Sequence, residues 1–372
     1  MRNLSQELTD LVLDQVAELD DGDQGVPSSI ANCGLVCRSW AQRSRLHLFE
    51  AIAFPGSDLE TFVDLVETSA FPLLSMVKSF ELDFNEEQRY RREHLTKLQE
   101  CVNLTSMTVT IPYAESEDLD DECVSYTSFF DKHLPIMGAQ CGSLTSFVLT
   151  SFFETRIPLD LLTGILASLP ALEVFKITDE IYILSEDDDD EEEEPSQSFP
   201  ENLHTLDLSG VHSRVHRFFR WLMSLPTVPV IKSLEVSPLD SAGWASLNAY
   251  AKRAGQAFER LHLRSAADEP PQILRHATVL RDLRVECIVA AHLPAIFSMI
   301  TSQDLQSLEV YVYRISDTDP IPYDLIDGTL ATPKFRNLRV VRLHGAQSIP
   351  TDVNERMPLT HARGILRCTS KW

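Results

Sequence analysis

The sequence predicts an α/β fold: a short N-terminal helical unit, then an irregular solenoid with parallel strands on its concave face and helices outside. Three observations carry that expectation. A six-residue pattern with apolar residues at its first, fourth and sixth positions recurs ten times along the chain. Amphipathic segments of helical spacing fill most of the intervals between copies. The first fifty residues carry helical stripes instead of the repeat.

In that first stretch Leu8, Leu11, Val12, Val16 and Leu19 recur every three to four residues, the spacing of one apolar face of a helix. A second stripe runs from Ile30 through Val36, Trp40 and Arg43 towards Leu48. Between them, Asp20 to Gly25 is an acidic, turn-forming break, and Pro27-Ser28-Ser29 reads as a helix start. The second helical stretch is predicted to end near His47, with Phe49 to Phe54 extended. A unit of this size buries little core by itself. It must lean on the rest of the chain or leave apolar surface for a partner.

The repeat follows. Its copies are Val77/Phe80/Leu82, Leu104/Met107/Val109, Leu144/Phe147/Leu149, Leu172/Phe175/Ile177 and Leu203/Leu206/Leu208. They continue as Ile231/Leu234/Val236, Phe258/Leu261/Leu263, Leu280/Leu283/Val285, Leu305/Leu308/Val310 and Leu338/Val341/Leu343. Successive copies stand 27, 40, 28, 31, 28, 27, 22, 25 and 33 residues apart. Helical segments between them include those around Leu59–Val66, Phe129–Leu134, Leu161–Leu166 and Phe218–Met223, two of them stopping at Pro170 and Pro226. Strand, helix and strand at this period mean a parallel sheet wound right-handed, because each unit can cover its apolar face only by stacking on its neighbours.

Two resemblances follow from these residues. The ten copies, over roughly residues 77–345, resemble irregular, helix-backed leucine-rich repeats. The regular asparagine of the most ordered repeats is absent, so an uneven arc is expected. Leu4-Ser5-Gln6-Glu7-Leu8, with the later Leu35-Val36-Cys37-Arg38-Ser39-Trp40, resembles an F-box. That resemblance implies docking to the Skp-type adaptor of a cullin–RING ubiquitin ligase, with Leu4, Leu8, Leu11, Val36, Cys37 and Trp40 facing the adaptor. Ser5 stands where the family usually has proline, and the loop at 20–26 lengthens the gap between the two halves of the motif. The expected organisation is an F-box-like domain at 1–50, a leucine-rich-repeat-like solenoid at 51–345 with a disordered acidic insertion at 185–198, and a C-terminal cap at 346–372. Ile365, Leu366 and Trp372 are the expected lid residues.

The formal net charge is −24, and nine of those charges sit in the run Glu186 to Glu194. The rest of the chain is acidic too, which argues against nucleic acid or an anionic membrane as the main partner. Seven cysteines at irregular spacings, with no Cys-x-x-Cys, suggest neither a disulfide framework nor a zinc site. Cys33 and Cys37 are expected to pack as small apolar residues. The acidic first turns hold no signal-peptide core, so a cytoplasmic or nuclear protein is expected. The acid run reads as a solvated insertion, or as a tether for basic partners. The patch Glu115 to Glu122 reads as a second acidic loop.

No nucleophile elbow, dinucleotide fingerprint or phosphate loop occurs, so no catalytic residue and no cofactor are expected. His212 and His216 are spaced for one helix face, but no third metal ligand stands nearby. In each strand the residues between the apolar positions turn to the opposite face. There the C-terminal copies gather Arg260, His262, Arg264, Arg284, Tyr311 and Arg342, residue types common in protein-binding hot spots. These are the expected substrate-binding residues, meeting an acidic or phosphorylated segment. The sequence thus reads as a non-enzymatic, F-box-type substrate receptor. The alternative is a scaffold or chaperone-like binder of basic proteins through the acid run, with the helical unit only capping the solenoid.

Overall fold

A computed structural model describes residues 6–20, 28–54, 58–84, 90–112, 124–151, 155–184, 198–265, 272–289, 292–314, 321–345 and 353–369. The chain divides into two compact units, Met1–Phe147 and Val148–Trp372.

The first unit begins with three helices, α1 (Gln6–Asp20), α2 (Ser28–Cys33) and α3 (Arg38–Glu50). The second predicted stripe is therefore two helices. The chain turns between them at Gly34, whose amide donates to the Ile30 and Ala31 carbonyls. Helix α3 runs three residues past His47, so the first strand starts at Ala51 instead of Phe49. The helices pack on Leu13, Ile30 and Ser44, with Thr9 also buried. The inner face of α1 is thus Thr9–Leu13, offset from the expected stripe. Asp14 fastens α1 to α3: Arg43 donates to both of its carboxylate oxygens at 2.8 Å, and His47 Nε2 lies 2.7 Å away. Burial works against the charge, but these bonds from His47 and Arg43 outweigh it and hold the Asp14 carboxyl below its usual value.

Strands β1 (Ala51–Phe54), β2 (Ser79–Asp83) and β3 (Ser106–Ile111) follow, with β2 parallel to both neighbours. Helix α4 (Asp58–Thr68) forms where the sequence placed it and turns Leu59, Phe62 and Val63 inward. Tyr90 is buried beneath the strands. Its hydroxyl donates to the Phe54 carbonyl at 2.9 Å and accepts from the Asp83 amide at 2.8 Å. The division between the units falls inside β4 (Ser146–Ser151).

The second unit adds β5 (Thr155–Pro158), β6 (Val174–Ile177), β7 (Ile181–Leu184), β8 (Thr205–Leu208), β9 (Val211–Ser213), β10 (Ser233–Val236), β11 (Arg260–Ser265), β12 (Asp282–Val289), β13 (Ser307–Arg314), β14 (Val340–Gly345) and β15 (Leu366–Thr369). Its main sheet has the order β4-β6-β8-β10-β11-β12-β13-β14-β15. From β6 onward every neighbouring pair is parallel, with the second and third repeat positions in register, as Leu234 with Leu206 and Leu261. All ten predicted copies contain a strand, and every one of their apolar positions is at most 5% exposed. Burying one leucine this far is worth about 1.5–3 kcal/mol. Repetition along the stack supplies the core that no single unit could. The helices Leu159–Ser168 and Val215–Ser224 stop just ahead of Pro170 and Pro226, as the sequence indicated. Asp240 caps Ser241–Ala254 by accepting from the Gly243 amide at 2.6 Å. The architecture is a leucine-rich-repeat solenoid with helices packed against a parallel sheet.

Two features depart from the sequence reading. A second parallel sheet, β5-β7-β9, was not expected, and β7 ends just ahead of the acid run. Gly210 permits it, because a Cβ there would come within 2.2 Å of the Asp179 carbonyl oxygen. Its amide bonds the Ile177 carbonyl and its carbonyl bonds the Ile181 amide, joining the two sheets. The C-terminal segment 346–372, read from the sequence only as a cap, also supplies a strand, β15, parallel to β14. Ile365 and Leu366 are buried as the lid required, while Trp372 lies outside the described residues. Asp327 is buried and accepts from the Leu359 amide, the Thr360 amide and the Thr360 hydroxyl. The runs at 115–122 and 186–194 also lie outside the described residues. Among those that are described, no helix is long and apolar enough to cross a membrane.

Candidate functional site

The helical unit keeps its best apolar side chains in solvent. Leu8 and Leu11 are 51% and 58% exposed, and Val12 is exposed beside them on α1. After α2, Leu35 and Val36 are 85% and 62% exposed. Isolated exposed leucines are ordinary. Here, however, five of the thirteen large apolar side chains exposed among the described residues fall between 8 and 36.

Cys37 is also exposed, which corrects the expectation that it packs as a small apolar residue; Cys33 is half-buried. Cys37 begins α3 in extended conformation. The Ser39 hydroxyl, 3.1 Å from its sulfur, and the Trp40 amide draw the thiol below its usual value. Trp40 itself is half-buried. Of the six residues expected to face an adaptor, Leu8, Leu11, Val36 and Cys37 are presented to solvent, Trp40 partly so, and Leu4 lies outside the described residues. Val12 and Leu35 complete the set. Their signal lay in the sequence, one four residues after Leu8 and the other opening the Leu-Val-Cys-Arg run.

On the second unit the predicted polar face is real, but its cations are not free. Parallel register sets Glu235, His262, Arg284, Glu309 and Arg342 side by side across β10 to β14. His262, 11% exposed, lies between two carboxylates, with Nδ1 2.6 Å from Glu235 and Nε2 2.9 Å from Glu286. Both ring nitrogens can donate only in the imidazolium form. Burial alone would lower this histidine. The hydrogen bonds to Glu235 and Glu286 reverse that and raise it. Glu235 mirrors it: burial pushes its carboxyl up, and the bond from His262 with the charges of His262, Arg264 and Arg284 brings it below its usual value.

Arg264 reaches Glu235 at 3.3 Å and Arg284 reaches Glu286 at 3.0 Å. The Arg284 guanidinium also lies 4.3 Å over the Tyr311 ring, from the β12 side. From the β14 side His344 stacks on Tyr311 at 4.2 Å and 7°. Glu309 ties the end together, accepting from the Tyr311 hydroxyl at 3.0 Å and standing 2.8 Å from His344 Nε2. Arg260, His262, Arg284, Asp282 and Glu309 border a shallow depression of about 210 Å³ floored by Leu234, Leu261 and Leu283. The structure therefore brings all six predicted residues onto one sheet face. It adds the glutamates that neutralise three of them and leaves Arg260 and Arg342 exposed.

His212 and His216 do not share a helix face: the first is on β9 and the second on the helix that follows. Among the described residues no group of His, Cys, Asp and Glu could hold a metal. Cys101 and Cys141 are buried, and burial pushes the Cys101 thiol up to about 12 and raises Cys141. Neither offers a nucleophile.

No family model and no curated protein matches the chain. Solved structures do. The crystal structure of the Rad7 and Elc1 complex in yeast aligns at 14% identity and a TM-score of 0.46, covering 99% of this chain and 90% of that one. The leucine-rich repeat-containing protein LegL7 from Legionella pneumophila aligns at 16% identity and a TM-score of 0.43, covering 85% and 88%. An internalin, inlF, from Listeria monocytogenes aligns at 11% identity and a TM-score of 0.34, covering 86% and 96%. With similarity at this level, the functional reading rests on this chain's own residues.

Proposed function

We propose that this chain is the substrate-recognition subunit of an SCF-type cullin–RING ubiquitin ligase. Its helical unit docks the Skp-type adaptor, and the open face of β10–β14 receives a protein substrate. The observation that carries the reading is the solvent exposure of Leu8, Leu11, Val36 and Cys37, residues that the F-box resemblance assigns to the adaptor. Simple capping of the repeats would not require these side chains to stay wet. Such a receptor is itself no enzyme and needs no cofactor, its ligase chemistry residing in other subunits. It works in the cytoplasm or nucleus, where its partners are.

The test is direct. The purified chain should form a stoichiometric complex with a Skp-type adaptor, seen by calorimetry and gel filtration. Leu11→Glu with Val36→Glu should abolish it at micromolar concentration while circular dichroism stays unchanged, since both side chains point to solvent. Failure of the intact, folded chain to bind at micromolar concentration rejects the reading.

A further inference from the structure

The cations that sequence reasoning assigned to an acidic partner are mostly spoken for. His262, Arg264 and Arg284 each have a carboxylate within 3.3 Å. A ligand anion would have to displace one of those, and Glu286 is only 9% exposed. At the other end of the same face the balance differs. Arg342 on β14 and Arg367 on β15 are register partners, both exposed. Buried Leu343 and Leu366 flank them, so both arginines project away from the core.

Glu309 is the register neighbour of Arg342 on its other side. Its carboxylate is turned instead to Tyr311 and His344. Among the described residues Arg367 donates to the Leu366 carbonyl. No carboxylate lies within 4 Å of either guanidinium among the described residues. Like charges directly opposite on neighbouring strands, about 5 Å apart, are destabilising unless something neutralises them. Two adjacent guanidinium forks match carboxylates bidentately. This is also a cationic point on a chain of net charge −24, so an anion drawn there is recognised locally.

We infer that the Arg342–Arg367 pair is where an acidic segment of a partner protein anchors, at the β15 end of the sheet and not over the His262 depression. The inference rests on reading this sheet face as the partner-binding face, and does not depend on adaptor docking. The neutral ladder from Glu235 to Tyr311 then supplies shape and hydrogen bonds, while the arginine pair supplies charge selection.

A fluorescein-labelled decaglutamate peptide, titrated into the full chain at near-physiological salt and followed by polarisation, tests it. Saturable binding is expected, weakened about tenfold or more by Arg342→Ala with Arg367→Ala. It should be lost with the corresponding Glu substitutions and barely changed by Arg264→Ala. Thermal melting of each variant confirms that it is folded. No saturable binding by the intact chain overturns the inference. So does equal affinity in the folded double variants, or a larger loss from Arg264→Ala. Adaptor capture is measured on the same preparations. Capture lost with peptide binding kept overturns the ligase reading alone, and the reverse overturns only the anchor.

Discussion

His262→Gln is the most informative single change on the sheet face. Below its raised value the His262 ring is an imidazolium that donates to Glu235 at 2.6 Å and to Glu286 at 2.9 Å, in a site where its side chain is 11% exposed. Each charge-assisted bond is worth about 1.5–3 kcal/mol. A glutamine amide can serve only one of the two carboxylates and carries no charge. Arg264 and Arg284 remain to share Glu235 and Glu286, so the loss falls short of two full bonds. The expected cost is about 2–4 kcal/mol in the local stability of β10–β12.

The pH dependence gives the result a sign. The folded-state value of His262 is raised above that of the unfolded chain. Its stabilisation is therefore complete below the ordinary imidazole value and fades as pH rises through the raised one. Glu235 is lowered, so its share is present above the ordinary carboxylate value and is lost as pH falls through the lowered one. The pair is worth most between those two limits. Repeat arrays do not unfold in one step, so amide hydrogen exchange of β10–β12 is the assay. The variant should be compared with the native chain near pH 6 and again near about pH 9, on either side of the ordinary imidazole value of about 6.5. A deficit that shrinks at the higher pH is expected. A cost under about 0.5 kcal/mol, or one equal at both pH values, refutes the imidazolium clamp.

Three further outcomes test the packing. Tyr90→Phe removes the hydroxyl that serves both the Phe54 carbonyl and the Asp83 amide, and should lower the urea midpoint of the first unit by the equivalent of about 1–3 kcal/mol. Gly210→Ala places a methyl 2.2 Å from the Asp179 carbonyl oxygen. It should cost about 3 kcal/mol and raise exchange in β7 and β9 before the main sheet responds. Asp327→Ala strips three donors of their acceptor at Leu359 and Thr360. Limited proteolysis should then cut within 353–369 while the strands before β14 stay protected, at a cost of about 2–3 kcal/mol.

The repeat was legible because burial acts on every copy in the same way. Ten apolar triplets had to face one core, and the spacing of Leu206 and Leu208 or of Leu261 and Leu263 says which residues face the other way. Helix α1 was harder. Its outer face is as apolar as its inner one, and a three-to-four spacing cannot say whether Leu8–Leu11–Val12 or Thr9–Leu13 turns inward. What decided it was the Asp14 clamp, a contact with Arg43 and His47 about thirty residues away in sequence. The β5-β7-β9 sheet left no usable signal, since strands of three or four residues show no period. For the polar face the information was present in part. Laying the triplets in register puts Glu235 beside His262 and Arg342 beside Glu309, but only side-chain geometry shows Glu309 turning to Tyr311 and His344, away from Arg342. His212 and His216 illustrate the opposite failure, in which helical spacing was read across a strand end.

Tyr311 is held on both faces of its ring, by Arg284 from one strand and His344 from the next, and by its hydroxyl at Glu309. A side chain so confined has already given up its rotamer freedom before any partner arrives, so docking against it forfeits little further entropy. On the proposal that this face receives a partner, loosening any one of its three neighbours should weaken association even where that neighbour touches nothing foreign, through motion restored to the tyrosine in the unbound protein. The slow flipping of one aromatic ring, visible by NMR as separate signals for its two edges, would be the signature of that confinement.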